Sequence, residues 1–311
     1  MKITLPIFFG SVLAQPSFAP EGGSRVTNGT NTPQGTAPWA VILYGWQTNS
    51  ASYSQCTGAI LDNTTILVAA HCIHNPETGI ITPPSQMTIG YNSVNEYKQK
   101  HVNVSQTFVH PLFNLWSIEN DIGVLKLAWA ITLTPGYAEA LTIYDGTIDP
   151  HQAIDVYGWG VEDANSEDTP SYLQHGTVYT GIIDDCQAAN SDFTDNNGEQ
   201  ICIEYIYSPG VGTCYGDSGG STTININGIP YGAGIVSYNQ YMSLPPNQCA
   251  TPGDYSFYTH TFYYLLWIQK VAGVAYITGP YGNGVLKPPP SSSSSSPTPT
   301  STSYCLFFIC F

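Results

Sequence analysis

Cys214-Tyr215-Gly216-Asp217-Ser218-Gly219-Gly220 sets one serine inside a glycine-rich turn. Glycine on both sides lets the backbone turn tightly and aim its N–H groups at one point. A developing oxyanion needs donors arranged in that way at neighbouring positions. A serine hydroxyl alone is a poor nucleophile at neutral pH, so the turn has chemical meaning only with a base and a group that orients the base. Val68-Ala69-Ala70-His71-Cys72 supplies an imidazole. Asn120-Asp121-Ile122-Gly123-Val124-Leu125 supplies a carboxylate at the head of an apolar run.

In the order His71, Asp121, Ser218, these segments resemble the chymotrypsin/trypsin-type serine proteases, whose triad order differs from those of subtilisins and α/β-hydrolases. The resemblance runs from Arg25 to Val271 and includes Pro38-Trp39, Gly158-Trp159-Gly160, and Tyr258-Thr259 ahead of Trp267-Ile268. It implies an all-β, chymotrypsin-like fold: two six-stranded antiparallel Greek-key β-barrels with a C-terminal α-helix. The barrels would join around residues 135–150, with the active site between them. Ser218 would be the nucleophile, His71 the general base and Asp121 the group that holds the imidazole tautomer. The N–H groups of Gly216 and Ser218 would form the oxyanion hole. That chemistry uses no cofactor and no metal. A metal reading of His71, Cys72 and His74 lacks a second cluster with zinc-like spacing. His74, His101, His110, His151, His175 and His260 lack a catalytic context and read as structural.

The pattern of the chain agrees with an all-β fold. Short β-rich runs at Thr65–Ala70, Gln86–Gly90, Val102–Phe108, Ile122–Leu127, Ala153–Tyr157, Gln200–Tyr207 and Tyr231–Tyr238 alternate with Gly, Pro, Asn and Asp. Tyr258–Val271 reads as a closing helix, with Phe262, Leu265, Leu266 and Ile268 at helical spacing.

Arg25, the only arginine, precedes Val26-Thr27-Asn28-Gly29. In the family, cleavage before such a sequence frees an α-amino group that pairs with the Asp preceding the nucleophile; here these are Val26 and Asp217. A buried carboxylate is costly without a partner, so the pairing would order the serine loop. Asn28 stands where the family usually has Gly, and it opens a glycosylation sequon; Asn63 and Asn103 open two more.

By the same resemblance, Gly212 forms the base of the specificity pocket, Ser256 one wall, and Ser237 and Asn239 the other. None is a carboxylate, so the expected preference is for uncharged residues before the scissile bond, apolar, aromatic or small. Such an enzyme is chymotrypsin/elastase-like rather than trypsin-like, and cleavage after Arg25 falls to another, trypsin-like protease. An insertion around Tyr241–Pro246 and Asp254 lie close to this alignment. Gly90–Glu96 lacks the acidic pair of a calcium loop.

The 311 residues, 42% hydrophobic, can bury a sizeable core and suffice for one bilobed domain or two small ones. A net charge of −15 with seven Lys plus Arg argues against nucleic acid and anionic lipid as partners. Residues 1–14 read as a secretory signal, too short for a membrane span. Residues 15–25 read as an activation peptide and 26–275 as the protease domain. Residues 280–303 form a Pro/Ser/Thr-rich linker that builds no core, and 304–311 a short apolar tail with Cys305 and Cys310. Eight cysteines in a secreted chain imply disulfides. The resemblance implies the pairs Cys56–Cys72, Cys186–Cys202 and Cys214–Cys249.

The expected product is therefore a secreted, extracellular, monomeric serine endopeptidase made as a zymogen. Its partners would be protein or peptide substrates, the activating protease and protein protease inhibitors. The alternative is a non-catalytic homologue serving as a secreted protein-binding module. Cell-wall or surface association through the tail is compatible with both.

Overall fold

A computed structural model describes residues 26–46, 53–75, 78–161, 169–242, 249–273 and 278–281, with the backbone of 305–306 and 309–310. The signal and activation segments 1–14 and 15–25, including Arg25, lie outside the described residues. So do nearly all of 280–303, half of the tail, and 243–248 within the insertion.

β1 (Thr30–Asn31) belongs to the second half of the molecule. The first half is a closed barrel of β2 (Ala40–Trp46), β3 (Tyr53–Asp62), β4 (Thr65–Val68), β5 (Met87–Tyr91), β6 (Lys100–Val109) and β7 (Gly123–Leu127). Its strand order is β2-β3-β4-β7-β6-β5. Alternation sets the faces: in β6, Val102 and Val104 are buried while His101, Asn103 and Ser105 face outward. β4 is buried throughout, because Thr65-Ile66-Leu67-Val68 lies between two neighbours and under the rest of the core.

The second half is a nine-stranded sheet of β1, β8 (Ile143–Tyr144), β9 (Ala153–Gly158), β10 (Gln174–Tyr179), β11 (Gln200–Glu204), β12 (Ser221–Ile226), β13 (Ile229–Gln240), β14 (Tyr255–His260) and β15 (Thr278–Gly279). Its main path runs β1-β10-β9-β12-β13-β14-β11. The six strands from β10 to β11 curl until Thr180, just past β10, bridges Ile203 of β11. Continuous ladders close only the first barrel; the second closes through that bridge. Helix α1 (Ile183–Ala189) follows β10, and α2 (Leu265–Ala272) lies between β14 and β15 in the chain. In the tail, Cys305 stands opposite Cys310 in a two-stranded pairing.

Two expectations need correction. The closing helix does not begin at Tyr258: Tyr258, Thr259 and His260 are the end of β14, because alternating Tyr-Ser-Phe-Tyr-Thr-His pairs with β13 on one side and β11 on the other. Leu266 is exposed, and α2 buries Leu265, Ile268 and Ala272 instead. Those three pack on the first barrel's core, with Val124, Leu125 and Ile73. Gly273 ends α2 at φ 71°, the left-handed conformation that glycine adopts freely. Lys126 of β7 donates to the last carbonyl, Ala272 O, and to Thr65 Oγ1 at 2.6 Å. A cation there also complements the negative end of the helix dipole.

Candidate active site

His71 opens a 3₁₀ turn, His71–Ile73, directly after β4, and Asp121 precedes β7, the neighbour of β4. Strand pairing therefore sets the two side by side although the chain separates them widely. Asp121 Oδ2 lies 2.7 Å from His71 Nδ1, and Asp121 Oδ1 accepts the backbone N–H of His71 at 2.9 Å. Ser237 of β13 donates its hydroxyl to Asp121 Oδ2 at 2.5 Å, and Thr259 Oγ1 donates to the Asp121 carbonyl at 2.8 Å. Both residues are buried. Burial alone raises the Asp121 pKa, but the adjacent imidazole and the three hydrogen bonds to the carboxylate outweigh it and hold the group below its ordinary value. The imidazole is thus fixed by its ring and by its own backbone. Ser237, expected on a pocket wall, turns its hydroxyl to this pair.

Ser218 comes from the other half, on the turn before β12. Asp217 N–H donates to Cys214 O, Gly219 N–H to Val236 O and Gly220 N–H to Asp217 O. Among the described residues, the N–H groups of Gly216 and Ser218 have no protein acceptor. Gly216 has φ 93° and Gly219 φ 79°, values that side chains disfavour. A Cβ on Gly219 would also lie 2.5 Å from Thr57 O and 3.2 Å from Cys72 Sγ. The turn is pressed that closely against the histidine loop.

Thr57 of β3 clamps it: its N–H donates to Ser218 O at 2.8 Å, and its hydroxyl to Gly216 O at 3.1 Å. Cys56, the preceding residue, is bonded to Cys72, the residue after His71. That bond engages the Cys72 sulfur, which a thiolate metal ligand would need free. Cys186–Cys202 and Cys214–Cys249 form the other two bridges that the resemblance implied.

Residues 26–268 match the protein family described as Trypsin. The chain belongs to the trypsin family of serine proteases. Brachyurin of Leptuca pugilator is 29% identical over 221 residues, covering 70% of this chain and 88% of its own. Serine protease 1 of Rattus norvegicus is 25% identical over 255 residues, covering 81% of this chain and 92% of its own. Mannan-binding lectin serine protease 1 of Rattus norvegicus is 25% identical over 288 residues; the match takes in 88% of this chain, which spans only 39% of that protein's length.

Within this trypsin-family domain, Asp217 is fully buried. Its Oδ1 accepts Gly160 N–H at 2.8 Å and its Oδ2 accepts Cys214 N–H at 2.9 Å. Burial outweighs these two bonds and pushes its pKa up to about 7. The only ion pair among the described residues is His71–Asp121, so Asp217 has no cationic partner there. Val26 is buried in the second-half core, and Thr27 N–H donates to Gly212 O at 3.0 Å. The segment after Arg25 thus lies against the loop leading to Ser218. Asn28, Asn63 and Asn103 are all exposed; Asn28 has φ 50° and donates from Nδ2 to Gly210 O at 2.9 Å.

Apart from Ser237, which faces Asp121, the expected pocket positions lie near one another. Gly212, Asn239 and Ser256 are neighbours, with Asn239 opposite Ser256 in the β13–β14 register. Sequence reasoning missed Thr57, Thr259 and Tyr205, the last lying against Gly212. The remaining histidines have structural contacts: His74 Nδ1 lies 2.9 Å from Ala70 O, His260 Nδ1 3.0 Å from Gly198 O, and His110 packs edge-on to Tyr264 and Trp267. His175 lies by Thr30 and Thr32, His101 by Tyr44 and His151 by Tyr207.

Proposed function

We propose that this trypsin-family protein is a secreted endopeptidase made as an inactive precursor, with His71, Asp121 and Ser218 as its triad. The buried Asp121 carboxylate holding His71 by both ring and backbone carries this reading. Ser218 Oγ attacks the peptide carbonyl as His71 Nε2 takes its proton. The oxyanion that forms is met by the N–H groups of Gly216 and Ser218, each worth about 3–4 kcal/mol. Collapse of the tetrahedral species breaks the C–N bond, and the imidazolium passes its proton to the leaving amine. Water, deprotonated by His71, then hydrolyses the acyl-serine and restores the hydroxyl.

Cleavage after Arg25 by a trypsin-like protease would give Val26 an α-ammonium group. Asp217 is the carboxylate suited to receive it, since burial without a cation pushes its pKa to about 7. The ion pair would order the turn that carries Ser218. The absence of a carboxylate at Gly212, Ser237, Asn239 and Ser256 supports a preference for uncharged residues before the scissile bond. Exposed Asn28, Asn63 and Asn103 support N-glycosylation.

Fluorophosphonate labelling before and after cleavage at Arg25 tests the reading. The expected result is strong labelling after cleavage and none in Ser218→Ala. A cleaved, folded wild type that takes no label overturns catalysis and leaves a protein-binding homologue. Purified precursor that rapidly cuts itself after Arg25 overturns the need for another protease.

A further inference from the structure

The space expected to receive the substrate side chain is crossed by this chain's own groups. Tyr205 leaves the end of β11 and is fully buried. Its ring lies so close to Gly212 that a Cβ there would overlap it. Its hydroxyl is 2.5 Å from Ser256 Oγ, 3.5 Å from Thr213 Oγ1, and accepts Thr213 N–H at 3.4 Å. Thr213 Oγ1 is also 3.2 Å from Tyr258 Oη. A phenol therefore sits against the base and joins its hydroxyl to both sides.

Asn239 closes the next layer. Ser256 Oγ donates to Asn239 Oδ1, while Asn239 Nδ2 donates to Thr213 O at 3.4 Å and to Tyr241 Oη at 3.4 Å. The carboxamide thus spans from β13 to the segment just before the Cys214–Cys249 bridge. Tyr241 in turn is hydrogen-bonded to Tyr215, on the nucleophile turn. A bulky substrate side chain would have to displace the amide, leaving the Thr213 carbonyl without its Asn239 donor and Ser256 Oγ with only the Tyr205 hydroxyl, which is costly for polar groups away from water. A methyl or hydroxymethyl group asks for no such displacement.

We infer that the primary specificity subsite ends at the Asn239 carboxamide above the Tyr205 phenol, and that it takes small uncharged side chains such as those of Ala and Ser. This rests on Ser218 being the nucleophile and narrows the wider preference for uncharged residues. Asn239 is the specificity-determining residue, and Tyr205 fixes the depth.

The test uses protein cleaved after Arg25 and peptides that differ only in the residue before the scissile bond: Ala, Ser, Leu, Phe or Arg. Ala and Ser peptides are expected to exceed Phe and Arg peptides in kcat/KM by about 30-fold, within the range that pocket shape commands. Asn239→Gly is expected to raise the Leu-to-Ala ratio about tenfold or more, and Asn239→Ser serves if the glycine variant does not fold. Phe or Leu turnover matching Ala in the wild type, or a folded Asn239 variant with an unchanged ratio, overturns the inference.

A second arm measures calorimetric binding of the same peptides to Ser218→Ala protein, which needs no turnover. Tighter binding of the Ala peptide supports the small subsite, and tighter binding of the Phe peptide overturns it. Failure of fluorophosphonate labelling counts against catalysis, and the binding arm still decides the subsite.

Discussion

Thr57 holds the turn that carries Ser218 through two bonds, one from its backbone and one from its hydroxyl. The hydroxyl holds the carbonyl of Gly216, the residue whose N–H is free to face an oxyanion. Thr57→Val keeps the shape and the backbone bond but removes that hold. It is expected to lower kcat about tenfold with little change in KM, the signature of an interaction made in the transition state; steady-state kinetics on cleaved protein decide it. Asp121→Asn removes the charge that fixes the imidazole and is expected to lower kcat by about 10⁴, as loss of a triad carboxylate does elsewhere. The proposed triad of His71, Asp121 and Ser218 could be read from the sequence because each residue sits in its own local pattern. Thr57, Thr259 and Tyr205 carry no such pattern. Their parts depend on pairings between distant strands, which sequence spacing does not encode.

At the scale of elements, the short runs between turn residues located seven of the fifteen described strands of the two halves to within a few residues, since β-rich composition and turn chemistry are local properties. The boundary between β14 and α2 was not legible. Aromatic residues at 257–264 satisfy both periods, and only the ladders to β11 and β13 assign the first of them to a strand. Once formed, α2 is tied to the first barrel by Lys126, which reaches the carbonyl of Ala272. Lys126→Ala is expected to cost about 1.5–3 kcal/mol, the range for a charged hydrogen-bond donor. Urea denaturation should register it, with hydrogen exchange rising first in residues 265–272.

For the whole molecule, two buried groups set opposing pH dependences. His260 has its pKa lowered by burial to about 4, so its neutral form is favoured in the folded protein. Stability from this group is complete above about 6.5 and falls as pH drops toward 4, by about 3 kcal/mol at most. Asp217 behaves oppositely in the uncleaved chain. With a folded pKa of about 7 against an ordinary 3.8, stability falls as pH rises between those values, by about 4 kcal/mol at most. Cleavage at Arg25 is expected to supply the missing cation and remove that loss. The Tm of cleaved protein should therefore pull ahead of the precursor's as pH rises from 4 to 7, measured by parallel calorimetric scans. A gap independent of pH would rule out the pairing of Val26 with Asp217.

Cys56 and Thr57 are chain neighbours, one bonded beside the base and the other holding the nucleophile turn. A single disulfide therefore braces both sides of the proposed catalytic centre. Removing that bond alone, in a Cys56→Ala, Cys72→Ala double variant, should lower fluorophosphonate labelling of Ser218 while circular dichroism still reports a β fold.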